Sequence, residues 1–161
     1  MSHIFWSNIF KQGSSELKAI AKLWQQTPLF TDIPFRHIEF LSAKMHVRNF
    51  HADEIIFQQG DQGAGTILVL EGSVRVMANK TELALLECGD FFGEIALAET
   101  DKRVADAYAM TDSKLVYFLK QDLEEWIEYE PRLGARFLMN LSSVLAQRLY
   151  QANKIIGSQP S

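Results

Sequence analysis

Between Met45 and Tyr117 the apolar residues fall into short runs, broken about every ten residues by turn-forming side chains, and that rhythm limits the fold most. The runs are Glu54–Phe57, Thr66–Leu70, Ser73–Met77, Leu83–Leu86 and Lys114–Phe118, all rich in Ile, Val, Leu and Phe. The breaks are Gly60-Asp61, Gly63-Ala64-Gly65, Glu71-Gly72, Asn79-Lys80 and Gly89-Asp90. Strands this short with turns this close suit an antiparallel sandwich or jelly roll better than alternating strand–helix units. The middle of the chain is expected to be a small β-barrel.

The flanks carry a helical period. Ser14 and Ser15 are placed to cap a helix with Leu17, Ile20, Ala21, Leu23 and Trp24 on one side, ending before Pro28. A second helix is expected from Asp32 as cap and Pro34 just inside, burying Phe35, Ile38, Leu41 and Met45. Past Lys120, Asp122 should cap Leu123–Tyr129, and Pro131 opens a long helix to about Ile156 with Gly157 as its stop. Leu133, Phe137, Leu141, Val144, Leu145, Leu149 and Ala152 form its apolar stripe, which Leu138 and Ile155 widen. The helix is longer than so small a barrel needs, which suggests a homodimer through paired helices. The alternative is a helix lying wholly on its own barrel. The expected divisions are an extension over 1–27, one domain over 28–156 and a flexible tail over 157–161.

Composition fits one domain. The chain has 161 residues, 47% hydrophobic and 22% charged, enough for a core and unlike a disordered chain. Lys and Arg number 16 against 20 Asp and Glu, a net charge of −4, the wrong sign for a nucleic-acid backbone. The single cysteine, Cys88, excludes an intramolecular disulfide and any multi-cysteine metal site, fits the cytoplasm and reads as a small buried filler. No apolar run is long enough to span a membrane, and no signal peptide is recognisable. Met1–Phe10 concentrates Ile4, Phe5, Trp6, Ile9 and Phe10, and is expected to pack on its own domain or a twin subunit, with docking on a partner or membrane surface as the other reading. The four histidines contain no His-x-His pair, and there is no Gly-x-Ser-x-Gly motif, so neither metal nor nucleophilic catalysis is expected.

The chemistry lies in Gly89–Ala98 and Arg103–Ala109. Gly93 can bring backbone close to a ligand, and a single helical turn over Glu94–Ala98 would offer free N–H groups to an anion. A strand starting at Arg103 would send Arg103, Ala105, Ala107 and Ala109 to one face, and Val104, Asp106 and Tyr108 to the other. An arginine on a face of alanines is a cation in a cavity. Ionised Glu94 accepts hydroxyl protons, so the pair would suit a phosphate beside a ribose hydroxyl. A ligand-free barrel in which Glu94 and Arg103 pair with each other is the alternative.

Ile-Ile-Phe-Gln-Gln-Gly-Asp (55–61), Ile-Leu-Val-Leu-Glu-Gly-Ser-Val-Arg-Val (67–76) and Gly-Asp-Phe-Phe-Gly-Glu-Ile-Ala-Leu (89–97), followed by Arg103-Val-Ala, resemble the cyclic nucleotide-binding domain. This is the module of the catabolite activator protein, protein kinase regulatory subunits and cyclic nucleotide-gated channels, and the resemblance covers about residues 28–155. It implies a β-roll with flanking helices and a phosphate-binding cassette. Carried over, Glu94 would take the ribose 2′-hydroxyl and Arg103 the cyclic phosphate, with the backbone of Gly93, Ile95 and Ala96 completing the anion site. The helix from Pro131 would be the C-helix, which covers the base and dimerises in the bacterial regulators. Where the catabolite activator reads adenine with Thr-Ser, this chain has Ala152-Asn153, and Asn153 becomes the candidate base reader or a solvated helix residue.

Two departures bear on the ligand. Val104 replaces the Ser or Thr often found after the arginine, whose hydroxyl the cGMP-selective members use, so the resemblance leans toward cAMP. Asp106 stands where kinase-type members carry Thr, and strand alternation should turn it outward. The chain is expected to act as a stand-alone sensor without a DNA-binding domain, with no cofactor beyond cAMP or a related cyclic nucleotide, relaying occupancy to an unidentified protein. A ligand-free scaffold for protein interaction is the other reading, and a cyclic dinucleotide ligand stays open.

Overall fold

The computed structural model describes residues 13–99 and 102–158. The expected barrel is present as two four-stranded antiparallel sheets. Its strands are β1 (His46–Phe50), β2 (Ile55–Phe57), β3 (Gly65–Glu71), β4 (Ser73–Ala78), β5 (Thr81–Glu87), β6 (Phe91–Phe92), β7 (Asp106–Ala109) and β8 (Ser113–Leu119). One sheet runs β1-β8-β3-β6 and the other β2-β7-β4-β5. The β4–β5 hairpin turns through Asn79 and Lys80, both left-handed at φ 50° and 64°, as a two-residue turn matching the twist of its strands requires.

The helices are α1 (Ser14–Gln25), α2 (Phe35–Ser42), α3 (Ile95–Ala98), α4 (Lys120–Tyr129) and α5 (Pro131–Gly157), with a 3-10 turn at Pro28–Phe30. They divide the hydrophobic interior in two. On β8, Leu115 and Tyr117 face into the barrel with Ile67, Val69 and Phe92. Val116 and Phe118 face the helices, where Trp24, Phe30, Trp126 and Phe137 form an aromatic layer with Phe30–Phe137 centroids 5.1 Å apart. The β1-β8-β3-β6 sheet is therefore covered on both faces. Exposure of Leu85 and Ile55 marks the open face of the other sheet.

Several local expectations need correction. Neither Ser14 nor Ser15 caps α1, which opens after Gly13 without a side-chain cap. Asp32 does not cap α2; it lies before Pro34 with φ 62°, inside the turn that follows Phe30. Asp122 sits within the first turn of α4, not at its cap, because that helix starts directly from β8 at Lys120. Cys88 is exposed, with its thiol donating to the Leu70 carbonyl at 3.2 Å. The last strand of the site begins at Asp106 instead of Arg103. The aromatic segment Met1–Phe10 and the end of the tail lie outside the described residues.

α5 is the element that matters most for the site. Gly134 lets it press on α4, since a Cβ there would lie 2.7 Å from Ile127 Cγ1. Asn140 Nδ2 donates to the carbonyls of Leu29 and Thr31 at 2.9 and 2.8 Å. Gly134, Phe137, Leu141 and Val144 are buried, whereas residues 146–158 are exposed throughout. Among the described residues no helix is long and apolar enough to cross a membrane.

Candidate ligand-binding site

A cavity of about 370 Å³ opens between the β6–α3 segment, the β4–β5 hairpin, the approach to β7 and α5. Gly93, Glu94, Ile95, Ala96, Arg103 and Val104 all line it, so six of the seven residues singled out from sequence converge. Asn153 does not. It is exposed on the outer part of α5, where nothing brings it to the cavity.

Gly93 is where the local geometry is decided. Its φ is +72°, and a Cβ on it would lie 2.4 Å from Arg103 Nη1. Only glycine allows that backbone conformation and that approach together. α3 then turns directly after Glu94, with Leu97 N–H donating to the Glu94 carbonyl at 3.0 Å and Ala96 N–H to that of Gly93 at 3.2 Å. The Ala96 N–H is thus already committed, a correction to its expected place among the anion donors.

Arg103 is held from every side. Its backbone N–H donates to Asp61 O at 2.7 Å and its carbonyl accepts from Gly60 N–H at 2.8 Å. The guanidinium lies over Phe57, 4.5 Å from the ring centroid, and donates through Nη1 to Gly93 O at 3.2 Å and through Nη2 to Gly65 O at 3.0 Å. Burial pushes its ionisation below the usual arginine range, while nearby Tyr117 and Glu94 push it back up. Five N–H donors on a planar fork exceed those two carbonyl contacts, so donors remain for an anion. Beyond it Ala105, Ala107 and Ala109 are buried as the alternation required, but Val104, which the same alternation placed on the opposite face, lines the cavity with Arg103, because the regular strand begins only at Asp106. Asp106 faces outward and accepts from Gln59 N–H at 2.7 Å, well placed to spare an anion its charge.

Glu94 is 3% exposed, unusual for an ionisable carboxylate, and needs a compensating charge. Arg103 is near enough to contribute electrostatically, but among the described residues it makes no direct ion pair with the carboxylate. Glu94 Oε2 is in ion contact with Nη1 of Arg148 on α5, without a hydrogen bond of good geometry. The internal Glu94–Arg103 pair of the scaffold reading is therefore not formed. Arg148 also donates to Phe91 O at 3.2 Å and lies over the Phe91 ring, 4.9 Å from its centroid.

Sequence reasoning missed Arg148. The available signal was a cation beside Leu149 on the edge of the α5 stripe, where nothing local says which barrel residue it meets.

The cavity lining joins three cationic side chains, Lys102, Arg103 and Arg148, to one carboxylate, with Leu86, Phe57 and Phe92 behind them. Leu83, Ile95 and Val104 form a half-open apolar rim, exposed by 59%, 50% and 69%. This suits a compact ligand with an anionic group, a neighbouring hydroxyl and a flat apolar portion. Among the described residues there is no cluster of three side chains able to hold a metal.

Residues 47–130 match the family profile described as the cyclic nucleotide-binding domain. The chain is 30% identical over 132 residues to the "Cyclic AMP receptor protein" of Thermus thermophilus, covering 79% of this chain and 59% of that one. It is 30% identical over 142 residues to "Glutaminase 1" of Bradyrhizobium diazoefficiens, covering 88% of this chain but 23% of that one. The crystal structure of the Thermus thermophilus catabolite activator protein superposes with a TM-score of 0.70 at 32% identity, covering 81% of this chain and 62% of that one. The chain thus spans less than two thirds of the length of each of these relatives.

Proposed function

The chain belongs to the cyclic nucleotide-binding domain family, and from that premise we propose that its cavity takes one cyclic mononucleotide, cAMP in preference to cGMP, and that occupancy is passed to a partner protein through α5 or the N-terminal segment. The observation that carries this reading is Arg103: a cation buried against Gly93, with donors to spare, beside the buried carboxylate of Glu94. In the bound state Arg103 and the backbone at Gly93 and Ile95 take the cyclic phosphate. Glu94 accepts from the ribose 2′-hydroxyl. Charge-assisted hydrogen bonds of this kind contribute about 1.5–3 kcal/mol each.

Leu83 and Val104 are the surfaces on which the base rests. Val104 brings no hydroxyl for a guanine group, which supports the cAMP preference. The module acts as a regulator by shifting a conformational population, with no covalent step of its own. It works in the cytoplasm and without direct contact to DNA, as its acidic balance favours. Leu149, Tyr150, Ile155 and Ile156, all more than 60% exposed on the outer part of α5, are the surface for a homodimer.

Calorimetric titration with cAMP, cGMP and 5′-AMP tests the reading. Micromolar or tighter binding of cAMP, weaker cGMP and negligible 5′-AMP is the expected order. No heat with any cyclic nucleotide would return the domain to a protein-interaction scaffold.

A further inference from the structure

Arg103 keeps its place without help from a sheet ladder, because the regular part of β7 begins only at Asp106. A neighbouring turn fixes it instead. Arg103 N–H donates to Asp61 O at 2.7 Å, Gly60 N–H donates to Arg103 O at 2.8 Å, and Phe57, which leads into that turn, lies against the guanidinium. The cation is therefore placed only as well as residues 58–61 are placed.

Two carboxylates shape this turn. Asp61 closes it from within: its Oδ2 accepts from Gln58 N–H at 2.7 Å, and its own N–H donates to Gln58 O at 3.0 Å. Asp106 holds it from outside, with Oδ1 accepting from Gln59 N–H at 2.7 Å across 47 residues of chain. The other oxygen of Asp106 accepts from the Tyr108 hydroxyl at 3.4 Å, so a second side chain of β7 orients the carboxylate. Among the described residues, the remaining backbone bonds of the turn run within it or to Arg103, which leaves Asp106 as its tie to a regular strand. Asp106 itself does not line the cavity.

We propose that Asp106 is a positioning residue for the anionic group of the ligand: it clamps the 58–61 turn and, through that turn, sets where the Arg103 guanidinium stands. The inference rests on the nucleotide reading and deepens it, since a carboxylate outside the cavity then tunes affinity for a phosphate inside it. Charge alone argues the opposite sign. Deleting a carboxylate near an anion site favours the anion electrostatically, whereas deleting a clamp weakens its binding.

Calorimetric titration with cAMP on wild type, Asp106→Ala, Asp106→Asn, Tyr108→Phe, Arg103→Met and the Asp106→Ala/Arg103→Met double variant carries the test, with amide NMR spectra reporting that each variant is folded. Asp106→Ala should weaken cAMP about fivefold, because a charge-assisted bond to Gln59 N–H is lost and the cation is no longer preorganised. Asp106→Asn, whose amide oxygen still accepts from that N–H, should recover most of the loss. Tyr108→Phe, which frees only the second oxygen, should give a smaller loss of the same sign. In the Arg103→Met background Asp106→Ala should cost no further affinity, the non-additivity expected when one residue acts through another. Wild type that binds no cyclic nucleotide overturns the nucleotide reading and this inference with it. Wild type that binds while Asp106→Ala binds as well or more tightly overturns the inference alone. So does an Asp106→Asn variant as weak as Asp106→Ala, or an equal loss from Asp106→Ala with and without Arg103.

Discussion

Arg103 and Arg148 line one cavity from different elements and are held in opposite ways. Arg103 is stacked on Phe57, bonded through its guanidinium to two carbonyls and through its backbone to the Gly60–Asp61 turn, all within the barrel. Arg148 hangs from a helix whose outer half is exposed, and reaches the barrel through Glu94 and Phe91 alone. The first is a preorganised wall, whose ordering was completed in folding. The second is held by fewer contacts, from a stretch of helix that is exposed throughout. The proposed sensor role calls for both a fixed group to hold the ligand and a second group whose contacts depend on it.

The largest effect should come from removing what anchors the inner half of α5. Phe137 is fully buried against Phe30, Phe118 and Trp126. Phe137→Ala should cost about 3–5 kcal/mol in denaturant unfolding. Leu149→Ala, at an equally apolar position of the same helix that is 62% exposed, should fall within about 0.5 kcal/mol at concentrations where the protein is monomeric. Similar losses at the two positions would erase the distinction between the halves.

On the fixed wall, Arg103→Met should weaken cAMP binding by about a hundredfold or more in calorimetry, and should also lower stability by leaving the Gly93 and Gly65 carbonyls without their donor. Next comes association. Leu149→Asp with Ile156→Asp should leave unfolding of the monomer nearly unchanged while abolishing any dimer seen in sedimentation.

Smaller again is the tether of α1. Lys114 is held above its ordinary value by a hydrogen bond from its ammonium to Glu16, despite the opposing effect of burial. Because the folded value is raised, the stabilisation is complete below about pH 10 and is lost as pH climbs through that raised value. Glu16→Gln should reduce this alkaline dependence in a pH series of unfolding curves, with Glu71, 3.5 Å from the same ammonium, sustaining the remainder. The smallest effect belongs to Asn153→Ala, which should leave cAMP affinity unchanged, since that exposed side chain does not line the cavity; a tenfold loss would mean that α5 bends inward on binding.

How much of this was legible in the sequence follows the same division. The fixed wall could be read locally: Gly93, Glu94, Arg103 and the alternating alanines lie within one short stretch, and strand period and glycine chemistry dictate their arrangement. The outward turn of Asp106 followed from the same period. The α5 wall could not be read, because Arg148 meets Glu94 across more than fifty residues of chain. The apolar stripe of α5 predicted a long helix without saying where its cover ends, so Leu149 and Phe137 looked alike. The helix caps failed for a related reason: Ser14, Asp32 and Asp122 are good cappers, but the neighbouring chain starts each helix where tertiary packing places it.

If Arg103 and Glu94 divide a cyclic nucleotide between them, a crystal structure grown with cAMP will show it. The cyclic phosphate is expected within hydrogen-bonding distance of the Arg103 guanidinium and the ribose 2′-hydroxyl on the Glu94 carboxylate, with the base against Leu83 and Val104. A nucleotide seated elsewhere, or a cavity that stays empty at saturating cAMP while Arg103 keeps only its two carbonyls, would contradict it.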